Sequence, residues 1–309
     1  MTPEQRMFIG IDWGTTHRRA VLLGAAGEVL AQQHDDQGAL ACAGRFGPAL
    51  QALLAAWPQA ESAPVVMAGM VGSAAGWQEV PYLDAATPLG RLGRHLAPLR
   101  DAPAGRPCFI VPGVCFRGER GQVDVMRGEE TQLLGAMQLL GTYAGDGWYV
   151  LPGTHSKWVR LQGGAVTALR TYMSGELFAL LGERGTLAAL MSGAEPDGQS
   201  AAFERALAEL GDEALSHALF GVRARVVTGT MPAAEARAYV SGVLLGAEWR
   251  DLRRHARIDG PVRLIGEPGL VRLHQQCARH AGIETQALDG QHVQLAAWQA
   301  LKQSLEAQA

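Results

Sequence analysis

Phe8-Ile9-Gly10-Ile11-Asp12-Trp13-Gly14-Thr15, leading into Arg19-Ala20-Val21-Leu22, and Trp148-Tyr149-Val150-Leu151-Pro152-Gly153-Thr154, leading into Trp158-Val159-Arg160-Leu161, are the stretches that decide the fold. Each is an apolar run, a glycine turn and a returning apolar run, which reads as strand, tight turn, strand. Gly14-Thr15 and Gly153-Thr154 superpose at an offset of 139 residues. Each copy continues through a second glycine turn, at 25–27 and 162–164, into a third strand at Glu28 to Gln33 or Ala165 to Thr171. A pattern repeated at that distance describes two similar halves.

Working outward, Ala49 to Trp57 has helical spacing. Pro64 to Met67 and Pro107 to Val111 are short buried strands, the first entering the glycine-rich loop GMVGSAAGW. Apolar residues at 126, 133, 134, 137 and 140 predict a helix from Met126 to Leu140. The second half is mostly helical, with helices at Glu176 to Leu190, Ala201 to Leu210, Ala234 to His255 and Val271 to Ala281. A strand at Val262 to Ile265 enters the loop Gly266-Glu267-Pro268-Gly269, and a helix from about Gln291 to Leu305 ends the chain.

The composition excludes several classes. With 309 residues, 48% of them hydrophobic and 18% charged, the chain can build about two cores and is not disordered. A net charge of −3 argues against a broad nucleic-acid-binding surface. The N-terminus lacks a secretory pattern, and the longest uncharged apolar stretch, Ala63 to Trp77, is too short and too glycine-rich to span a bilayer. Cys42, Cys108, Cys115 and Cys277 are scattered, as free thiols of a cytoplasmic protein would be, and the nine histidines form no metal-binding motif. The 39 glycines exceed an ordinary share, but no asparagine and only two lysines, Lys157 and Lys302, point to a coding bias behind much of that excess.

Placement says more than the count. In Asp12-Trp13-Gly14-Thr15-Thr16, Gly14 lets a turn approach an anion, and backbone N–H groups with threonine hydroxyls suit phosphate oxygens. Asp12, at the end of a buried strand, is placed to organise Mg²⁺ through its waters. An ordinary hairpin turn with a hydrogen-bonded aspartate fits the same residues. Pro152-Gly153-Thr154-His155-Ser156-Lys157 has the same donor-rich shape without being a Walker A loop, and Lys157 reads equally as a solvated hairpin residue.

Two such loops from duplicated halves, with VVMAGMVGSAAGW at 65–77, VMRGEETQLLGA at 125–136, LPGTHSKWV at 151–159, MSGELFALL at 173–181 and SGVLLGAEW at 241–249, resemble the 2-dehydro-3-deoxygalactonokinase family. That family lies within the acetate and sugar kinase, heat-shock protein and actin superfamily. The resemblance implies an α/β fold of two ribonuclease H-like (actin-like ATPase) domains around a central cleft, with Mg·ATP between the two phosphate turns. It implies phosphorylation of 2-dehydro-3-deoxy-D-galactonate at its 6-hydroxyl, in galactonate catabolism. Another sugar or aldonate, or a nucleotide-dependent sugar sensor, is the alternative.

Such a kinase needs a carboxylate beside the acceptor hydroxyl. In related kinases an acidic residue heads the helix before the second phosphate loop, and Glu130 lies 23 residues ahead of Gly153. Glu130 shares an apolar face with Met126, Leu133 and Met137, which favours it as base, while Glu129 is left to hold metal or substrate and Asp124 is a weaker candidate. The resemblance places the acceptor at the loop Met70-Val71-Gly72-Ser73 with Trp77, and its carboxylate calls for a cation, Arg127 first and Arg18 in reserve. Gly266 and Gly269 are expected against the adenosine.

The expected division is 1–125 for acceptor and first phosphate turn, 126–147 as a connecting helix, 148–290 for nucleotide, and 291–309 as a helix returning across the hinge. The expected partners are ATP and a small 2-keto-3-deoxy sugar acid, with no nucleic acid and no membrane; a homodimer is left open. The expected location is the cytoplasm.

Overall fold

The computed structural model describes residues 7–103, 105–119, 121–191 and 200–308. The chain forms two compact units, one of Met1–Asp146, Leu161–Leu169 and Gln291–Ala309, the other of Gly147–Arg160 and Arg170–Gly290.

The first unit is built on β1 (Phe8–Trp13), β2 (Arg18–Leu23) and β3 (Val29–Asp35), followed by α1 (Phe46–Leu54) and β4 (Val65–Gly69). Short strands β5 (Leu83–Asp84), β6 (Ala97–Pro98), β7 (Cys108–Ile110), β8 (Val114–Arg117) and β9 (Val123–Met126) precede α2 (Glu129–Leu140). The main sheet has the order β3-β2-β1-β4-β7-β6, and β5-β8-β9 form a small second sheet. β1 is antiparallel to β2 but parallel to β4, with Asp12 opposite Arg19 on one side and Ala68 on the other. The alternating and continuous apolar runs of these strands bury Ile9, Ile11, Trp13, Leu22, Val65 and Met67 with Phe46, Leu50 and Leu53 of α1 in one core. Burial of this kind stabilises by about 1.5–3 kcal/mol per large side chain.

The chain repeats the theme with β10 (Gly147–Leu151), β11 (Ser156–Gln162) and β12 (Ala165–Tyr172), of which Leu161–Leu169 is grouped with the first unit and the rest with the second. It continues through α3 (Ser174–Glu183), α4 (Ala201–Glu209), α5 (Leu215–Val227), α6 (Ala236–His255), β13 (Val262–Ile265), α7 (Pro268–His280) and β14 (Thr285–Leu288). The sheet order is β12-β11-β10-β13-β14, with β10, β13 and β14 parallel. The chain's last helix, α8 (Gly290–Glu306), packs within the first unit: a Cβ on Gly10 would lie 2.4 Å from the Trp298 ring, and one on Gly135 of α2 would lie 1.9 Å from Val293 O.

Two expectations change. Met126 ends β9, and Gly128 at φ 113° breaks the backbone, so α2 begins at Glu129 rather than at Met126. The helix expected at Glu176 to Leu190 stops at Glu183 and gives way to a 3-10 turn at Ala188–Leu190.

Candidate functional site

The first cluster forms where β1, β4 and β9 end. Gly69, at φ 90°, takes a conformation that side chains rarely adopt, and it lies so close to β1 that a Cβ there would sit 2.7 Å from Trp13 O. The same Cβ would be 3.5 Å from Asp12 Oδ1, and one on Gly128 would be 3.4 Å from Gly69 Cα. Two glycines thus bring Asp12, the loop after β4 and the start of α2 together. The Asp12 carboxylate is pushed up by burial, a shift that Arg19 at 3.5 Å partly opposes. Gly14 N–H closes its turn onto His17 O at 2.9 Å, and Thr15 and Thr16 are exposed.

Glu130 is fully buried in the first turn of α2. Gly128 N–H donates to both of its carboxylate oxygens, at 2.9 and 2.7 Å, and Thr131 Oγ1 donates to Oε1 at 3.3 Å. Burial, and after it the neighbouring Glu129 carboxylate, push Glu130 up to about 8. Glu129 accepts from Arg127 N–H at 3.0 Å. The Arg127 guanidinium lies 4.3 Å over the Tyr82 ring and donates from Nη2 to Val80 O at 2.7 Å. Its Nε and Nη1 are buried without a hydrogen-bond partner, an arrangement that costs free energy until an acceptor arrives. A Cβ on Gly72 would lie 2.8 Å from Arg127 Nη1, so that glycine makes room for the guanidinium.

Several expected acceptor ligands are engaged elsewhere. Arg18 is buried, pairs with both Asp35 oxygens at 3.2 and 2.7 Å, donates to Ala49 O at 2.8 Å and lies over Trp13. Its role is to tie β2, β3 and α1, which removes it as a reserve cation. Val71 is wholly buried in the core, and Met70 packs against that core. Trp77 stacks on Phe46 at 6.1 Å and meets Trp13 edge-on, so its indole belongs to the packing rather than standing free as a platform. Ser73 Oγ donates to Met70 O at 2.8 Å.

The second cluster lies wholly in the second unit. The turn Pro152–His155 joins β10 to β11 and is backed by the start of α3. Glu176 N–H donates to Thr154 O at 2.9 Å, and His155 Nε2 meets Glu176 Oε2 at 2.6 Å. A Cβ on Gly175 would lie 2.3 Å from Gly153 O. The loop after β13 touches the same turn, for a Cβ on Gly266 would be 2.9 Å from Pro152 Cγ. Gly269 sits in the first turn of α7, its space taken by Glu267, whose Oε2 caps the helix from Leu270 N–H at 3.1 Å. Ser156 and Lys157, expected as loop donors, lie buried on β11. Lys157 Nζ donates to Thr171 Oγ1 at 3.0 Å, and Ser156 Oγ donates to Glu248 Oε1 at 2.6 Å.

Glu248 is the residue that sequence reasoning missed. Buried on α6, it also accepts from Trp158 Nε1 at 2.5 Å and from Ser174 Oγ at 2.6 Å. The one available signal was an acidic residue inside the apolar run SGVLLGAEW. A cavity of about 380 Å³ opens beside Ser174 and Glu248, with Met173, Leu177, Leu215 and Leu244 in its lining.

Comparison with known proteins shows the family. The sequence profile of the 2-keto-3-deoxy-galactonokinase family matches residues 12–301. The chain belongs to this family. A curated relative, the 2-dehydro-3-deoxygalactonokinase of Escherichia coli K12, is 35% identical over 285 residues, covering 92% of this chain and 93% of that protein. A crystal structure from Sinorhizobium meliloti, named as a candidate 2-dehydro-3-deoxygalactonokinase, superposes with a TM-score of 0.90 at 32% identity, over 96% of this chain and 99% of that one. The activator of 2-hydroxyisocaproyl-CoA dehydratase from Clostridium difficile, with bound ADPNP, matches with a TM-score of 0.53 at 13% identity, over 98% of this chain and 97% of that one. The family's fold is thus the two-domain actin-like ATPase fold.

Proposed function

We propose that this chain transfers the γ-phosphoryl group of ATP to the 6-hydroxyl of 2-dehydro-3-deoxy-D-galactonate, in the cytoplasm, as a step of galactonate catabolism. The observation that carries the reading is Glu130, a buried carboxylate pushed up to about 8 at the meeting of Asp12, Gly69 and Gly128. A carboxyl tuned near the working pH is suited to take a proton from an acceptor hydroxyl as phosphorus–oxygen bond formation proceeds. Each unit has its part. The first presents the acceptor and the base. The second holds the nucleotide phosphates with the backbone N–H groups and Thr154 hydroxyl of the turn after β10.

Arg127 supports the choice of an acid as acceptor. A cation already desolvated, with two nitrogens lacking acceptors, gains more from a carboxylate than from a sugar hydroxyl. Replacing Arg127 with Ala is expected to raise KM for the 2-keto-3-deoxy acid at least about tenfold, since a hydrogen bond to a charged group contributes about 1.5–3 kcal/mol. An unchanged KM removes it from the acceptor site.

The donor set suits magnesium. Asp12 offers a hard carboxylate oxygen, while no cluster of three acidic, His or Cys side chains stands ready as a cage among the described residues. Magnesium commonly keeps several waters and takes one or two carboxylates with substrate phosphates. Asp12 would hold it through water. Bound there, the ion would neutralise charge on the phosphoryl oxygens.

The test is a coupled ATP-consumption assay on the two epimeric 2-keto-3-deoxy acids and a panel of sugars. Turnover favouring the galactonate derivative supports the reading. Preference for the gluconate epimer or a neutral sugar corrects the substrate. Nucleotide binding without turnover on any acceptor identifies a sensor. No helix of the described residues is long and apolar enough to cross a membrane.

A further inference from the structure

We propose that Glu248 is a positioning residue for phosphoryl transfer, fixing the turn Pro152–His155 and the start of α3 in one geometry. This rests on the reading that the turn holds the phosphates of ATP. The hydrogen bonds of Glu248 go to Ser156, Trp158 and Ser174, all outside the turn Pro152–His155. It acts through Ser156, which follows the turn, and Ser174, which begins α3.

The donors explain the choice of side chain. A buried carboxylate is costly unless its oxygens are hydrogen-bonded, and Glu248 collects three neutral donors on two oxygens. The Trp158 indole can only donate, and it shares Oε1 with the Ser156 hydroxyl. Oε2 is left to Ser174. A glutamine offers one acceptor oxygen and would turn a donor toward one of these groups.

The three donors come from two separate elements, β11 and α3, so one carboxylate sets the distance between them. Two further contacts depend on that distance. Glu176 N–H reaches Thr154 O at 2.9 Å, and Gly175 approaches Gly153 O so closely that a Cβ would sit 2.3 Å away. Had Glu248 served packing alone, it would need no tie to both sides of the turn. As arranged, any drift of α3 from β11 moves the carbonyls and N–H groups of Gly153 and Thr154. A displacement of about 1 Å in a group that orients reactants can cost about a hundredfold in rate.

The experiment compares Glu248→Gln, Ser174→Ala, Thr154→Val and Gly153→Ala with the unchanged full chain. Steady-state kinetics give kcat and KM for ATP and for the sugar acid, and calorimetry gives the affinities of ATP and adenosine. Melting temperature reports on folding. For Glu248→Gln and Ser174→Ala, kcat/KM for ATP is expected to fall about tenfold or more. KM for the sugar acid and the affinity for adenosine should stay within about twofold, because the defect is confined to phosphate geometry. Should Glu248→Gln fold poorly, Ser174→Ala carries the test, since it removes one link and leaves the carboxylate with two donors.

Thr154→Val separates the proposal from the reading beneath it. If Thr154→Val weakens ATP while both anchor variants bind and turn over ATP normally, with at most a lowered melting temperature, Glu248 is structural and the inference is overturned. If Thr154→Val and Gly153→Ala both leave ATP affinity and kcat unchanged, the turn does not hold phosphate, and the reading itself is overturned. Equal loss of ATP and adenosine affinity in the anchor variants also overturns the inference, since it marks a general loosening of the unit.

Discussion

The two copies of the hairpin share a device and differ in what holds it. In both, the third strand returns a glycine to the turn. Gly38, just after β3, packs so that a Cβ would lie 2.3 Å from Thr16 C and 2.5 Å from Thr15 O. Gly175, just after β12, packs on Gly153 O in the same way. Beyond that point they diverge. The first turn is held mostly by main chain, through Gly38 N–H to Thr16 O, Ala39 N–H to Gly14 O and Leu40 N–H to Thr15 O, at 2.9–3.2 Å, with one exposed side-chain contact, His17 Nδ1 to Asp36 Oδ1 at 2.9 Å. The second is held by a helix N-terminus and a buried side-chain network around Glu248. The acid differs too, for Asp12 is the last residue but one of β1, whereas Leu151 stands at the equivalent place, 139 residues on, in β10. Duplication supplied one backbone solution. Charge and anchoring differ, with the Asp12 carboxylate beside the first turn and Glu176 and the Glu248 network beside the second.

The largest effect that should expose this division comes from Glu130→Gln. General-base catalysis typically contributes about 10²–10⁴ in rate, and kcat should fall within that range while KM for ATP stays near its original value. Glu129→Gln should cost far less, since Glu129 is partly exposed and already accepts from Arg127 N–H. If Glu129→Gln abolished turnover and Glu130→Gln kept it, the assignment of roles would be reversed. Single-turnover measurements with both variants decide between these outcomes.

Next come the packing glycines. Gly175→Ala and Gly38→Ala each drive a Cβ into backbone atoms that cannot swing aside. Overpacking of this sort costs about 1–3 kcal/mol and should lower the melting temperature by several degrees. The two should differ in function. Gly175→Ala pries α3 from the turn that Glu248 steadies, so it should weaken ATP at temperatures where the protein is still folded. Gly38→Ala should act on the first unit, leaving the affinity for ADP unchanged. Equal effects on ADP affinity would dissolve the distinction between the turns.

The elements that carry this comparison could be read from sequence because they are local. FIGIDWGTT and WYVLPGTHS state their turns within ten residues, and a strand followed by glycines predicts where backbones meet. Glu130 was legible from helical spacing with Leu133 and Met137, although Met126 proved to belong to β9. What escaped notice depends on distant partners. Glu248 meets groups 74, 90 and 92 residues away, a separation that no periodicity records. Arg18 looked like a free cation until Asp35 and Ala49 were brought to it, and Lys157 looked like a loop donor until β11 turned it inward. α5 and the two-residue strands β5 and β6 lacked a pattern long enough to detect.

A smaller effect concerns pH. Glu130 rises from an ordinary 4.5 to about 8 on folding, so the folded state holds its proton more tightly than the unfolded chain. Its contribution to stability is therefore fully present below about 4.5 and is lost as pH climbs toward 8. The melting temperature should decline over that window, and Glu130→Gln should flatten the decline. Activity should move the other way, with kcat rising along a limb centred near 8 as the base loses its proton. A rate profile flat from pH 6 to about 9, with chemistry rate-limiting, would take Glu130 out of the proton transfer.

The smallest structural effect, and the sharpest functional contrast with it, is expected at the turn glycines themselves. Neither Gly14 nor Gly153 has a positive φ, and a Cβ on Gly153 would meet nothing within 4 Å. On Gly14 the nearest atom would be His17 O at 3.1 Å, close but at the edge of the turn. The fold alone therefore does not require glycine at 153. Alanine there should be neutral or stabilising by up to about 1 kcal/mol, because it restricts the unfolded chain without straining the folded one. Gly14→Ala should lower the melting temperature by about a degree or two, because His17 O at 3.1 Å must give by a few tenths of an ångström. If phosphate oxygens come to these turns, however, the space left by the missing Cβ is theirs. Gly153→Ala should then raise KM for ATP several-fold in a protein as stable as the original. A variant with both stability and KM unchanged would mean that the open space beside Gly153 is simply solvent, and that phosphate is held elsewhere.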